Sequence, residues 1–142
     1  MTSNKQQTLN GYCHCRTVHF QVLVDLTKPL ETIKCNCTIC AKSRWWEFYV
    51  HPEEFTLISG EDQLGLYQFG DLQTSHYFCK RCGVKPYIKG TSGNWGGKFV
   101  GINVNCIDEF TQEQLESFTP NISYLNGISN DWNHCPKHFK YL

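Results

Sequence analysis

Seven cysteines of this 142-residue chain fall into three clusters whose spacing is typical of metal ligands. The clusters read Cys13-His14-Cys15, then Cys35-Asn36-Cys37-Thr38-Ile39-Cys40, then Cys79-Lys80-Arg81-Cys82-Gly83. Two, three and two thiols are one short of two closed four-cysteine sites, and they fit one closed site of four and one open site of three. A closed tetrahedral thiolate site is structural, whereas an open site keeps a position for water or substrate.

Spacing alone does not decide which clusters share an ion. Two cysteines close in sequence supply one edge of a tetrahedron, and a distant pair supplies the other. The first and third clusters together satisfy a closed site, which leaves the second as three ligands from one short loop. Exchanging the first and second clusters satisfies the same count. Both sites are structural if Cys106, Cys135 or a histidine supplies an eighth ligand.

Composition and charge exclude several classes of protein. The formal net charge is +0, from 13 basic and 13 acidic residues, so we expect no binding to nucleic acid or to an anionic membrane. No apolar run approaches the roughly 18 residues of a membrane span, and the polar N-terminus does not resemble a secretory signal. We therefore expect a cytoplasmic protein, in which paired cysteines are metal ligands rather than disulfides.

The remaining pattern predicts a mainly β fold of short strands with turns between them. Residues 18–24 alternate between apolar and polar side chains, as a half-buried strand does. Helical structure is predicted only as a turn over 38–43 and as a short helix that Thr111 caps. We assign residues 1–10 to a flexible arm and 11–142 to a single zinc-binding β domain, with the oligomeric state undetermined.

These motifs resemble the glutathione-dependent formaldehyde-activating enzyme family. The resemblance covers about residues 10 to 110 and rests on Gly11-Tyr12-Cys13-His14-Cys15, Cys35-Asn36-Cys37-Thr38-Ile39-Cys40-Ala41-Lys42, Phe78-Cys79-Lys80-Arg81-Cys82-Gly83 and Asn103-Val104-Asn105-Cys106-Ile107-Asp108. It implies an Mss4-like fold of short antiparallel sheets tied by zinc. It also implies a structural zinc on Cys13, Cys15, Cys79 and Cys82, and a functional zinc on Cys35, Cys37 and Cys40.

The activity implied by the resemblance is that of a carbon–sulfur lyase or synthase acting on a glutathione adduct, as in S-(hydroxymethyl)glutathione synthase. Such chemistry needs a proton donor or acceptor near the substrate carbon, for which the sequence offers only His51, His76 and Tyr49 as guesses. The family usually has glycine where this chain has Arg16. The aromatic pair Trp45-Trp46 fits a substrate larger than a formaldehyde adduct, although a position in the core or at a partly buried surface is the commoner one for such side chains. The alternative function is a non-catalytic, zinc-stabilised module that binds protein.

Overall fold

Two β-sheets pack around a shared core in the computed structural model, which describes residues 5–142. The smaller sheet has the order β1 (Gln6–Tyr12), β2 (His19–Asp25) and β5 (Phe55–Ser59). The larger sheet has the order β10 (Ile122–Leu125), β3 (Thr32–Cys35), β4 (Glu47–Val50), β9 (Gly97–Asn103), β8 (Tyr87–Ser92), β7 (Ser75–Cys79) and β6 (Leu64–Tyr67). Its neighbours are antiparallel except for the parallel pair β10 and β3.

The predicted mainly β fold is confirmed, and both helices begin where the sequence placed them. Helix α1 spans Thr38–Ser43 and helix α2 spans Gln112–Phe118. The Thr111 hydroxyl accepts from the Gln114 N–H at 3.1 Å, and the Gln114 side chain accepts from the Thr111 N–H at 2.9 Å, a reciprocal capping box. No helix in the described part of the chain is long and apolar enough to cross a bilayer.

The flexible arm predicted for residues 1–10 is wrong for residues 6–10, which belong to β1. This strand pairs with β2 along its whole length, from Gln6 opposite Asp25 to Tyr12 opposite His19. Leu9 is buried in the core. The polar composition of this segment hid the strand, because only one face of β1 packs against the protein. Residues 1–4 of the predicted arm lie outside the described residues.

Strand β4 divides the interior into two regions, because successive side chains of a strand point to opposite faces. Phe48 and Val50 lie in the main core between the sheets. Glu47 and Tyr49 lie on the other face, where Tyr49 packs against a second cluster that contains Cys35 and Cys40. The side chains of that second face surround the three-cysteine loop.

Candidate metal centres

The first and third cysteine clusters meet where the two sheets adjoin. The Sγ atoms of Cys13, Cys15, Cys79 and Cys82 all lie within 4.8 Å of one another. Cys15 Sγ lies 3.6 Å from Cys13 Sγ and 3.6 Å from Cys79 Sγ. A regular tetrahedron with Zn–S bonds near 2.3 Å has edges of about 3.8 Å. The four sulfurs are therefore spaced as ligands of one tetrahedral zinc ion.

Two tight turns hold these four sulfurs. Cys13 and Cys15 follow β1, and the Val18 N–H donates to Cys13 Sγ at 3.3 Å. Cys79 ends β7, and the Gly83 N–H donates to its carbonyl at 2.7 Å. Gly83 has a φ of +79°, which only glycine adopts without strain, as expected of a zinc knuckle. The cluster thus links the β1–β2 turn of the smaller sheet to the β7–β8 turn of the larger one.

Arg16 occupies a backbone conformation that favours glycine. Its φ of +67° lies in the left-handed region, which glycine adopts without strain and other residues adopt rarely. The Arg16 guanidinium pairs with Asp108 at 2.9 Å and lies 3.7 Å from the centre of the Tyr12 ring. Its side chain is 60% exposed. These contacts offset the backbone strain. They also hold the guanidinium in place beside the four-cysteine cluster.

The second cluster forms a separate group on the other face of β4. The Sγ atoms of Cys35, Cys37 and Cys40 lie within 4.8 Å of one another. Cys35 ends β3, Cys37 is the N-cap of α1, and Cys40 is buried within α1. The Cys37 N–H donates a hydrogen bond to Cys35 Sγ at 3.4 Å. Among residues 5–142, no fourth cysteine, histidine or carboxylate completes this group.

The three thiols of this cluster have divergent proton affinities. Hydrogen bonds from Cys35 and Cys40 lower the pKa of Cys37 to about 2. Hydrogen bonds with Cys35 and Cys37, together with burial, raise the pKa of Cys40 far above its ordinary range. One sulfur therefore ionises and its neighbours keep their protons, because adjacent thiolates repel one another. A bound dication would remove that repulsion, so this donor set fits a zinc ion.

A buried carboxylate lies close to the three sulfurs, and sequence analysis did not identify it. Glu47 is 4% exposed, and burial raises the pKa of its carboxyl to about 8. Its Oε2 accepts from Trp45 Nε1 at 2.7 Å, whereas its Oε1 has no hydrogen-bond partner. Glu47 interacts electrostatically with Cys37 and Cys40. A lone glutamate in an aromatic strand carries no motif that would have revealed it.

A lysine and a histidine lie on the same side of the sheet. Lys85 Nζ donates to His76 Nδ1 at 3.1 Å and lies 4.3 Å from the centre of the Trp45 ring. Burial lowers the pKa of His76 to about 4, so the imidazole is neutral at pH 7 and accepts this hydrogen bond. Burial also lowers the pKa of Lys85. Both side chains interact electrostatically with Cys37.

Aromatic rings form the wall next to these polar groups. Tyr49 stacks on Phe99 with ring centres 4.2 Å apart and meets Trp95 edge-on at 5.5 Å. His51 is exposed and lies 4.8 Å from the Trp95 ring. Burial raises the pKa of Tyr49 well above its ordinary value. Of the three residues guessed for proton transfer, His76 and Tyr49 lie near the cluster, and His51 lies at the outer end of this wall.

The segment after β10 packs directly on the three-cysteine loop. The Asn36 side chain donates to Asn126 Oδ1 at 3.0 Å and accepts from the Ile128 N–H at 3.0 Å. A Cβ on Gly127 would come within 2.5 Å of Cys35 Sγ. The Trp132 ring would lie within 2.9 Å of the same added atom. No motif in the sequence marks this segment, so its contact with the cluster is visible only in the structure.

The other candidate ligands and surfaces lie elsewhere. Cys106 is buried in the main core and Cys135 is exposed, and neither joins a cysteine group in the described part of the chain. Trp45 is buried beside the three-cysteine cluster, whereas Trp46 is buried in the main core and donates to Thr32 Oγ1 at 2.8 Å. A cleft of about 860 Å³ between β5 and the β8–β9 hairpin is lined by no cysteine.

Comparison with known proteins found a matching family model and a similar solved structure. A family model described as glutathione-dependent formaldehyde-activating enzyme matches residues 8–124. The crystal structure of a protein from Rhodobacter sphaeroides is similar to this chain, with a TM-score of 0.64 and 24% sequence identity. That similarity covers 75% of this chain and 94% of the other, and it concerns the fold alone. The residues after 124, which contact the three-cysteine loop, lie beyond the family match.

Proposed function

Since this chain belongs to the glutathione-dependent formaldehyde-activating enzyme family, we propose that it is a zinc-dependent carbon–sulfur lyase or synthase. Its substrate is a glutathione adduct or a related thioether. The observation that carries the proposal is the three-cysteine group, which has no fourth protein ligand among residues 5–142. A tetrahedral ion held by three sulfurs keeps one position open for a thiol of the substrate.

The two clusters have different roles in this proposal. Cys13, Cys15, Cys79 and Cys82 hold a structural zinc, and Cys35, Cys37 and Cys40 hold a functional zinc. When bound, the functional zinc is a Lewis acid that favours the thiolate form of the substrate sulfur. The protein orients its ligand loop through Asn36, whose side chain is hydrogen-bonded on both sides. The buried rings of Trp45 and Phe99 pack with Cys35 and Cys40 and shield them from water, whereas Cys37 is partly exposed.

The surroundings of the loop support a substrate larger than a formaldehyde adduct. Ile128 is 64% exposed and Trp132 is 45% exposed, and both lie next to Gly127 at the three-cysteine cluster. Exposed apolar side chains beside an open metal position would bind an apolar group on the carbon attached to sulfur. Trp45 and Trp46 are buried, as is usual for such side chains, and take no part in that contact.

The proposed chemistry needs free thiols, and the cysteines meet that requirement. All nine cysteines of the chain lie within the described residues, and none forms a disulfide. A compartment that keeps thiols reduced preserves both ligand sets. We therefore infer that the protein works in a reducing compartment such as the cytoplasm.

Metal analysis and exchange kinetics test the proposal. We expect two zinc ions per chain, one of them removed readily by a chelator. The protein with both ions should accelerate the exchange between glutathione, an aldehyde and their adduct, measured by NMR with formaldehyde and with a bulky aromatic aldehyde. A crystal soaked with glutathione should show sulfur density next to the Cys35–Cys40 loop.

A different result would favour the binding module. If both ions resist chelation and no adduct exchanges faster with the protein than without it, the three-cysteine group is a closed structural site. Absence of sulfur density at high glutathione concentration would agree with that outcome. The function would then lie in contacts with another protein.

A further inference from the structure

Two buried side-chain atoms among the described residues lack a hydrogen-bond partner, and both lie near the three-cysteine cluster. They are Glu47 Oε1 and Trp95 Nε1. An unpaired buried polar atom costs about 1–3 kcal/mol, and more when the group is charged. Such atoms in folded proteins usually mark a place where water, an ion or a ligand completes the hydrogen bond.

The Glu47 carboxylate is held on one side and free on the other. Trp45 Nε1 donates to its Oε2 at 2.7 Å, which fixes the orientation of the carboxylate. Oε1 lies over Gly101, where a Cβ would come within 2.3 Å of it. Glycine at position 101 therefore leaves the room that Oε1 occupies. Glu47 Oε1 therefore lies against the larger sheet, because Gly101 pairs with Tyr49 of β4 and Ile88 of β8.

A hydrogen-bond donor of opposite charge lies near this acceptor. Lys85 and Glu47 interact electrostatically but form no direct ion pair in the described part of the chain. Lys85 Nζ is half-buried, and the one hydrogen bond that it donates to a side chain goes to His76. Cys37 interacts electrostatically with both Lys85 and Glu47. An acceptor and a donor thus lie close to the same sulfur without satisfying each other.

We propose that Glu47 Oε1 and Lys85 Nζ bind the oxygen atom on the reacting carbon, where Glu47 transfers its proton and Lys85 stabilises its negative charge. The inference rests on the proposed function of the three-cysteine cluster. It also narrows the substrate to a thioether with a hydroxyl group on the carbon that is bonded to sulfur. That hydroxyl donates to Glu47 Oε1 and accepts from Lys85 Nζ.

The proton and the electron pairs balance in both directions. In cleavage, the hydroxyl proton moves to Glu47 Oε1, the O–H electron pair forms the C=O bond, and the C–S pair leaves with sulfur as a thiolate. In synthesis, the thiolate attacks the carbonyl carbon and the protonated Glu47 returns its proton to the carbonyl oxygen. Lys85 donates a hydrogen bond to that oxygen whenever it carries negative charge.

The other titratable groups of this region suit the role less well. The raised pKa of Tyr49 leaves its phenol protonated throughout the physiological range. His76 is neutral, and its Nδ1 already accepts from Lys85. His51 is exposed at the far end of the aromatic wall. Glu47 alone combines an unpaired oxygen, a pKa of about 8 and burial near the cluster.

The test replaces each member of the pair in the zinc-loaded protein. Glu47→Gln keeps the shape and the Trp45 hydrogen bond but cannot accept the proton, so adduct exchange should slow by at least about 100-fold. Lys85→Met should slow it by about 100-fold. Zinc content and glutathione binding by calorimetry should stay at the wild-type level in both variants. Glu53→Gln, an exposed glutamate on the protein surface, is the matched control and should behave as wild type.

The pH profile separates a proton-transfer role from a structural one. Wild-type cleavage should accelerate as pH rises through about 8, where Glu47 loses its proton, and Glu47→Gln should lack this limb. Glu47 accepts a hydrogen bond from Trp45, and the titratable groups that interact with it electrostatically are Lys85, Cys37, Cys40 and Tyr49. Bound zinc would hold both cysteines as thiolates across this pH range. Wild-type rates and an unchanged pH profile in Glu47→Gln would overturn the inference and leave the proposed function standing. No exchange by the wild type with any adduct would overturn the proposed function itself, and this inference with it.

Discussion

The four-cysteine cluster lies at the junction of the two sheets, and its sulfurs come from turns 64 residues apart, as between Cys15 and Cys79. The three-cysteine cluster comes from one loop and lies on the far face of β4, surrounded by Glu47, Lys85 and aromatic rings. No buried carboxylate lacks a partner near the first cluster in the described part of the chain. Both clusters therefore offer cysteine sulfurs, but their surroundings differ. The four-cysteine cluster joins distant parts of the fold, whereas the three-cysteine cluster lies next to polar groups that lack a partner.

The largest expected difference is in folding. Cys79→Ser removes a fully buried ligand that joins the two sheets, and because structural metal binding is folding free energy, it should cost several kcal/mol. Cys37→Ser should lower the melting temperature only slightly, yet abolish adduct exchange. Thermal unfolding and zinc content, measured on both variants, compare the clusters directly. If Cys37→Ser unfolds as readily as Cys79→Ser, the proposed division of roles fails.

Glu47, next to the three-cysteine cluster, should make the stability of the protein depend on pH. The pKa of Glu47 rises from its ordinary 4.5 to about 8 on folding, so the folded state keeps a proton that the unfolded state has lost. That stabilisation is fully present below about pH 4.5 and is lost progressively as pH rises from there to about 8, a loss on the order of 5 kcal/mol. Glu47→Gln should therefore unfold at a higher temperature than wild type at pH 8.5, and the difference should shrink as pH falls and vanish near pH 4.5. Parallel wild-type and variant curves across this range would contradict the assignment.

Gly127→Ala should affect one cluster and spare the other. The added Cβ would meet Cys35 Sγ at 2.5 Å and the Trp132 ring at 2.9 Å, so a neighbour must shift to admit it. Displacing a ligand in this way should weaken the zinc affinity of the three-cysteine site by about 10- to 100-fold. Competition with a chromophoric chelator measures that affinity. The zinc of the four-cysteine site, which we expect to bind more tightly, serves as the internal control. Gly93→Ala, at a site with no atom within 4 Å of the new Cβ, is the matched variant.

The smallest expected effect concerns the rim of the four-cysteine cluster. Arg16→Gly relieves a φ of +67° but removes the ion pair with Asp108 and the contact with the Tyr12 ring. Because the strain is about 1–2 kcal/mol and an exposed ion pair contributes up to about 1 kcal/mol, the changes should nearly cancel. Chemical denaturation should give a free energy of unfolding within about 1 kcal/mol of wild type. A loss of adduct exchange would instead indicate that Arg16 contacts the substrate.

Local features of the fold were predictable from the sequence. Short alternating strands, the Thr111 cap and the helical turn at Thr38 depend on neighbouring residues, and the structure has all of them. The strand after Pro120 was not predictable, because β10 forms through parallel pairing with β3, about 90 residues earlier. The hairpin of β8 and β9 also extends to Ser92 and Gly97, within a Gly-rich stretch whose composition favours a loop. Strand pairing outweighed local preference in both places, with a distant strand for β10 and with the adjacent strand in the hairpin.

The number, identity and spacing of the cysteines are properties of the sequence, and they were sufficient to indicate two metal sites, one of them short of a ligand. The tertiary structure decided which clusters meet, because spacing permitted either partition and only the packing of the two sheets brings Cys15 to Cys79. It also decided what surrounds the open cluster. Glu47, Lys85 and Gly127 reach it from three separate parts of the chain, and no local pattern marks a residue whose importance depends on such a contact.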